Sequence, residues 1–122
     1  MILETIYTIL AAQSPLLAGG RIFPFVIPQG QLYPAIVYQR DSTRFLRSFD
    51  GHNSLTSTGL QIDCYAKTVS AAAALATRVR SALIDYATSP INLIAIDNEL
   101  DLFEPDTELH RVMLRFTVWH HE

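Results

Sequence analysis

Residues 109–119 carry the feature that most constrains the fold, a two-residue alternation of side chains along the chain. The positions expected to face inward are Val112, Leu114, Phe116 and Val118. The positions expected to face outward are Arg111, Met113, Arg115, Thr117 and Trp119. Successive side chains of a β-strand point to opposite faces, so this pattern predicts a strand with one buried face.

A C-terminal hairpin is predicted from this strand and the segment before it. Residues 92–104 also alternate, with the apolar positions Ile94, Ile96, Leu100 and Leu102. The connection is Glu104-Pro105-Asp106-Thr107, and Pro and Asp are typical turn residues. The two segments therefore form an antiparallel pair joined by a short turn.

A second hairpin is predicted from residues 35–41 and 55–67. The later segment places Leu60, Ile62, Cys64 and Ala66 on one face. Asp50-Gly51 and His52-Asn53 are turn sequences, so we expect residues 42–53 to form a long loop between the strands.

Two segments have helical periodicity. Residues 2–13 form the first helix, which ends before Pro15 and the Gly19-Gly20 pair. Residues 70–87 form the second, with Ser70 as N-cap and Pro90 beyond its end. Its predicted core face is Ala72, Leu75, Val79, Ala82, Leu83 and Tyr86. The opposite face consists of Ala73, Thr77, Arg80, Ser81 and Ile84. Either this face packs against a neighbouring chain, or the helix is rich in alanine for its helix propensity and has no partner there.

Residues 21–27 are predicted to be an edge strand or an extended arm, because Pro24, Pro28 and Pro34 remove backbone donors nearby. The order of elements is helix, arm, hairpin, helix, hairpin. This order predicts the α+β class, with a mainly antiparallel sheet of two hairpins and two helices packed on one face. We expect one domain over residues 1–122.

Composition favours contacts with other subunits. The chain has 122 residues, of which 17 % are charged, below the usual quarter. Tyr65, Met113 and Trp119 are predicted on the outer sheet face and are apolar for a solvated surface, so we expect another subunit to cover them. No run approaches the roughly 20 apolar residues of a membrane span.

Catalytic and ligand-binding motifs were not found in the sequence. It contains no phosphate-binding glycine loop and no nucleophile elbow. Cys64 is the single cysteine and lies on a predicted core face, so we expect a small buried hydrophobe. His120 and His121 stand at a frayed terminus, where adjacent strand residues make a poor chelate. We therefore predict no enzyme activity, no cofactor and no metal site.

Acidic residues are concentrated in the C-terminal hairpin. Asp97, Glu99 and Asp101 are spaced by two, which predicts that they share one strand face. Such a face is a solvated edge that blocks aggregation, a divalent cation site, or a surface that pairs with a basic partner. The solvated edge is the simplest of these interpretations.

Arginines interleaved with aromatic residues are concentrated in the predicted loop at residues 40–50. They are Arg40, Arg44 and Arg47, with Phe45 and Phe49. Arginine and aromatic residues serve both nucleic-acid and protein contacts. Neighbouring acids and a net charge of −3 favour a protein contact, without specific nucleic-acid binding. Together with the acidic residues, this cluster predicts a candidate subunit interface that suits head-to-tail association.

Five stretches follow one another along the chain: LLAGGRIFP, IPQGQLYPAIVYQR, LQIDCYAKT, SAAAALATRVRSALID and HRVMLRFTVWH. In this order they resemble the tail-completion or tail-terminator proteins of long-tailed, siphovirus-like phages and prophages. The resemblance implies a structural protein that forms a ring, commonly sixfold, on the head-proximal end of the tail tube. The ring would stop tube polymerisation and dock the head connector or completion protein. It also implies assembly in the host cytoplasm, a final place in the virion, and no catalytic residues.

Other functions are compatible with the same residues. A head-completion or connector protein is the nearest alternative. A small ligand-binding α+β dimer would need a pocket with convergent polar groups. A nucleic-acid binder would use the arginine and aromatic cluster.

Overall fold

The computed structural model describes residues 2–47, 54–84, 86–88 and 90–121, with the backbone alone at residues 46, 47 and 54. Its helices are α1 (Ile2–Ala11) and α2 (Val69–Leu83), with a short 3-10 turn at Leu17–Gly20. Its strands are β1 (Ile22–Pro24), β2 (Ala35–Arg47), β3 (Ser54–Ala66), β4 (Ile91–Glu104) and β5 (Leu109–His121). They form one sheet in the order β1-β2-β3-β5-β4.

The sheet is mostly antiparallel, as predicted. The pairs β2–β3, β3–β5 and β4–β5 are antiparallel, and only the three-residue edge strand β1 lies parallel to its neighbour β2. Both helices contribute to one apolar core with the inward side chains of the sheet. The α+β class and the helices on one face are therefore confirmed. No described helix is long and apolar enough to cross a membrane.

The alternation along β5 is confirmed. Val112, Leu114, Phe116 and Val118 are buried, and the residues between them are half-buried on the outer face. Leu60, Ile62, Cys64 and Ala66 of β3 are also buried. These two central strands carry most of the sheet's contribution to the core.

The predicted loop at residues 42–53 is wrong over its first half. Residues 42–47 continue β2, where Ser42 lies opposite Gly59 and Phe45 lies opposite Thr56. The segment contains Thr43 and Phe45, residue types that are favoured in strands, and this outweighs the turn signal further along. Residues 48–53 lie outside the described part of the chain.

The start of α2 also differs from the prediction. Thr68, not Ser70, is the N-cap, since its hydroxyl accepts a hydrogen bond of 3.1 Å from the Ala71 N–H. The helix ends at Leu83 because Ile84 has an extended ψ of 132°. The helix is therefore shorter than predicted and ends well before Pro90.

The predicted alternation in β4 is correct only as far as Ile96. A bulge between Ile96 and Asn98 shifts the pairing of β4 with β5 by one residue. A one-residue shift moves every later side chain to the other face. Leu100 therefore lies 45 % exposed opposite Met113, while Ile94 is fully buried opposite Val118.

Candidate functional site

An arginine held between two aspartates crosses the outer face of the sheet. Arg115 on β5 donates to both carboxylate oxygens of Asp41 at 2.7 and 2.9 Å, and to Asp97 Oδ2 at 2.9 Å. Thr117 Oγ1 donates to the same Asp97 oxygen at 2.8 Å. We call Asp41, Arg115 and Asp97 the Asp–Arg–Asp clamp. Each aspartate lies at a bulge, one in β2 and one in β4. The clamp therefore joins three strands, β2, β5 and β4, and crosses over β3, which lies between β2 and β5.

Gly59 on β3 makes room for the clamp. A Cβ atom at this position would meet Asp41 Oδ1 and would lie 2.6 Å from Arg115 Nη2. The close approach of these side chains to the strand backbone therefore requires glycine, and the sequence alone gave no reason to expect it.

A second ionic cluster lies on the same face, toward the β4–β5 turn. Arg111 lies 3.7 Å from Asp63, donates to Glu104 at 3.2 Å, and donates to the Tyr65 hydroxyl at 3.3 Å. Burial raises the pKa of the Asp63 carboxyl, although a hydrogen bond from Gln61 and the charge of Arg111 oppose the shift. The outer face is thus crossed by ionic contacts and is more polar than expected.

The predicted arginine cluster is divided between the two faces of the sheet. Arg40 lies opposite the buried Leu60, on the face that the helices cover. The bulge at Asp41 reverses the alternation, so Arg44 lies on the outer face, opposite Ser57. The prediction of one crowded loop is therefore wrong, because a bulge cannot be read from spacing alone.

The rest of that cluster, its two aromatic residues and its last arginine, is described only in part. Phe45 is 66 % exposed on β2, where it is available for a contact. Arg47 is the last residue of β2, and only its backbone is described. Phe49 lies outside the described residues. The assignment of all these residues to an interface stays a prediction.

The three predicted acidic residues do not share a face. Asp97 points to the outer face within the clamp, whereas Glu99 pairs with Arg80 of α2 at 2.6 Å on the helix side. Asp101 lines a small cavity of about 70 Å³ on the helix side, beside Val69 and Ala73. The bulge after Ile96 again explains the error. Since Asp97 and Glu99 have internal partners, Asp101 is the most available of the three.

A cleft with several polar side chains in its wall lies between α1 and the sheet, at the end of the sheet where β2 and β5 finish. It has a volume of about 420 Å³ and is lined by Ile2, Thr5, Arg40, Thr43, Thr58, Pro90, His120 and His121. His120 is buried, and its Nε2 forms a 2.8 Å hydrogen bond with Thr58 Oγ1. We call this site the basic cleft. The prediction of a frayed terminus is wrong here, since the inward alternation through Val118 continues to His120.

Charge is separated along the length of the strands. Arg44 lies toward the end where β2 and β5 finish, and Arg40 lies at mid-strand with its side chain lining the basic cleft. Neither pairs with an acid among the described residues. The opposite end carries the exposed turn at residues 105–108, which contains Asp106 and Glu108. We call residues 105–108 the acidic turn. The two ends of the sheet therefore present dissimilar charges.

Reactive side chains do not converge in the described part of the chain. Cys64 is completely buried, and burial raises the pKa of its thiol far above the ordinary value. A thiol held in its neutral form is a poor nucleophile. No three His, Cys, Asp or Glu residues within the described ranges come together to hold a metal ion. The described residues therefore provide surfaces for recognition.

A family model described as "Tail completion protein gp17" matches residues 4–121, nearly the whole chain. The chain belongs to this family. The resemblance stated from the sequence is therefore confirmed, and this tail-completion protein is a structural component of a virion and not an enzyme. No curated protein matches it significantly in sequence.

One solved structure similar to this tail-completion protein comes from the virion of a native gene transfer agent particle. The two chains share 16 % identity and a TM-score of 0.72, over 96 % of this chain and 92 % of the other. At this identity, the similarity shows a common fold.

Proposed function

We propose that this tail-completion protein forms a closed ring of copies, sixfold as in the expectation from the sequence, on the head-proximal end of the tail tube. The ring stops the addition of tube subunits and presents a docking surface to the head connector or completion protein. Its partners are thus further copies of itself, the tube protein and the connector. Copies are made in the host cytoplasm and join the tail there.

The observation that carries the proposal is the separation of unpaired charge along the strands. A ring requires two dissimilar lateral surfaces on each subunit, because each contact joins one surface to a different one on the next copy. Arg44 and the cleft that Arg40 lines lie toward one end of the sheet, and the acidic turn lies at the other. Oppositely charged patches steer association and fix its register.

The residues proposed for these contacts are those predicted from the sequence: Arg40, Arg44, Phe45, Arg47, Phe49, Asp97, Glu99 and Asp101. Phe45 is the apolar member available for burial, at 66 % exposure. Phe45 lies opposite the buried Thr56, on the same face of the sheet as Arg40. Aromatic residues and arginine are both typical of the energetic centre of a protein interface. Membership of the tail-completion family and the shared fold with a chain of a gene transfer agent virion support an assembly role.

Electron microscopy of particles made without the protein tests the function. Overlong tails that fail to join heads are the expected result. Tails of normal length that remain unjoined would instead indicate a head-completion or connector role and would refute tube termination. Normal, joined particles would refute both.

A pair of charge changes tests the interface. Arg44→Glu should impair the joining of tails to heads, because it removes a cation from the proposed contact. Ala74→Glu is the control, since Ala74 is exposed on α2 and belongs to neither charged surface of the proposed contact. Equal particle yields from the two variants would count against a contact through Arg44.

A further inference from the structure

The acidic turn is exposed, and its charges have no ionic partner in the described part of the chain. All four residues of the turn are exposed, and Glu108 adopts a left-handed φ of 57°. Asp106 and Glu108 form no ion pair with any described residue. Its carboxylates are therefore free to meet cations of another molecule.

The basic cleft has the complementary chemistry. Arg40 supplies an exposed cation without an acidic partner among the described residues, and His121 is exposed at the rim. The hydroxyls of Thr43 and Thr58 line its wall, 3.4 Å apart. Its volume of about 420 Å³ falls within the roughly 300–1,000 Å³ of sites that enclose ligands. Such a cleft suits carboxylate side chains presented on a narrow turn.

The acidic turn and the basic cleft cannot meet within one chain. They lie at opposite ends of the same long strands, since β5 begins at Leu109 beside the turn and ends at His121 in the cleft. Contact between them therefore needs two copies. The same contact repeated from copy to copy is heterologous, and it closes into a ring when the rotation between copies permits.

We infer that the acidic turn of one copy inserts into the basic cleft of the next copy, with Asp106 and Glu108 bonded to Arg40 and the cleft's hydroxyl and imidazole groups. This inference rests on the proposed ring and specifies its lateral contact. The occupant of the cleft is thus a second copy of this chain.

Paired cysteines test the contact, because the only native cysteine is buried. Thr107→Cys lies in the acidic turn, and His121→Cys lies at the rim of the basic cleft. The double variant should form a ladder of disulfide-linked multimers in assembled tails. Mixing the two single variants should give crosslinked dimers that contain one of each. The control, His121→Cys with the exposed helical Ala74→Cys, should give no ladder.

A second test exchanges the charges of the acidic turn and the basic cleft. Arg40→Glu should weaken association between copies about tenfold, as should Asp106→Arg, because each places like charges together. The variant that combines both should recover much of the lost association. Recovery would support the contact, and additive losses would overturn it.

The outcomes separate this inference from the proposed function. If the double-cysteine variant forms complete, joined tails without crosslinks in oxidising conditions, the lateral contact is wrong and the ring stands. If particles made without the protein are normal and joined, the ring itself is wrong. A ladder as strong in the helical control would also overturn the contact.

Discussion

Gly59→Ala should destabilise the protein, although alanine is usually the better residue in a strand. Replacing glycine by alanine stabilises a protein by about 0.4–1 kcal/mol when alanine can adopt the backbone conformation, because the unfolded chain becomes less flexible. Gly59 meets this condition, since its φ is not positive. The new Cβ would lie 2.6 Å from Arg115 Nη2 and would also meet Asp41 Oδ1. The methyl group therefore displaces the clamp.

The contacts of the clamp determine whether Gly59→Ala raises or lowers the free energy of unfolding. Arg115 and Asp41 are about one third exposed, at 33 % and 31 %, so their charge-assisted contacts contribute roughly 1–2 kcal/mol in total. The net loss in free energy of unfolding is then about 0.5–1.5 kcal/mol. This corresponds to a fall in Tm of roughly 2–6 °C for a chain of this size.

Urea denaturation of four variants measures this effect as a double-mutant cycle. The variants are the natural chain, Gly59→Ala, Arg115→Met and the two combined. In the Arg115→Met background, Asp41 is free to rotate, so Gly59→Ala should stabilise the chain by about 0.4–1 kcal/mol. If Gly59→Ala stabilises both backgrounds equally, the clamp does not occupy the space above Gly59 and the reasoning fails.

Three further predictions concern the cap, the buried carboxyl and the buried thiol. Thr68→Ala should lower the free energy of unfolding by about 1 kcal/mol because the Ala71 N–H loses its partner. Ser70→Ala should change it far less, and equal losses in urea denaturation would argue against the Thr68 cap. Burial raises the pKa of Asp63, so its protonation stabilises the fold below the ordinary carboxyl pKa of about 3.9, and this contribution is lost as pH rises through the folded pKa. Asp63→Asn should make the free energy of unfolding depend less on pH in this range. If the urea midpoint of the variant changes with pH as steeply as that of the natural chain, the raised pKa of Asp63 is contradicted. Cys64 should react with a thiol reagent only as fast as the chain opens, and rapid labelling in native buffer would contradict its burial.

Periodicity was sufficient to predict the kinds of element and the class of the fold. Val112 and Leu114 were assigned to the core because a strand with one buried face repeats every two residues. Helical spacing placed Leu75 and Val79 in the core in the same way. These assignments depend on local sequence alone, which is why they are correct.

The candidate site was predicted less well because it depends on register between strands. Bulges at Asp41 and Asp97 move the later residues of β2 and β4 to the opposite face, and nothing in the spacing marks them. The bulges place both aspartates within hydrogen-bond distance of Arg115, which lies on a strand distant in sequence, so their purpose is visible only in the folded structure. The inward position of His120 in the basic cleft is predictable from the sequence, since the alternation of β5 extends beyond Val118.

The position of β5 inside the sheet determines when the protein can fold during its synthesis. β4 is translated before β5, yet β5 is the strand with which it pairs in the described structure. β3 likewise keeps an open edge until residues 109–121 have been made. Both His120 and His121 belong to that final strand. A nascent chain therefore completes its sheet and its cleft together, because both require residues 109–121.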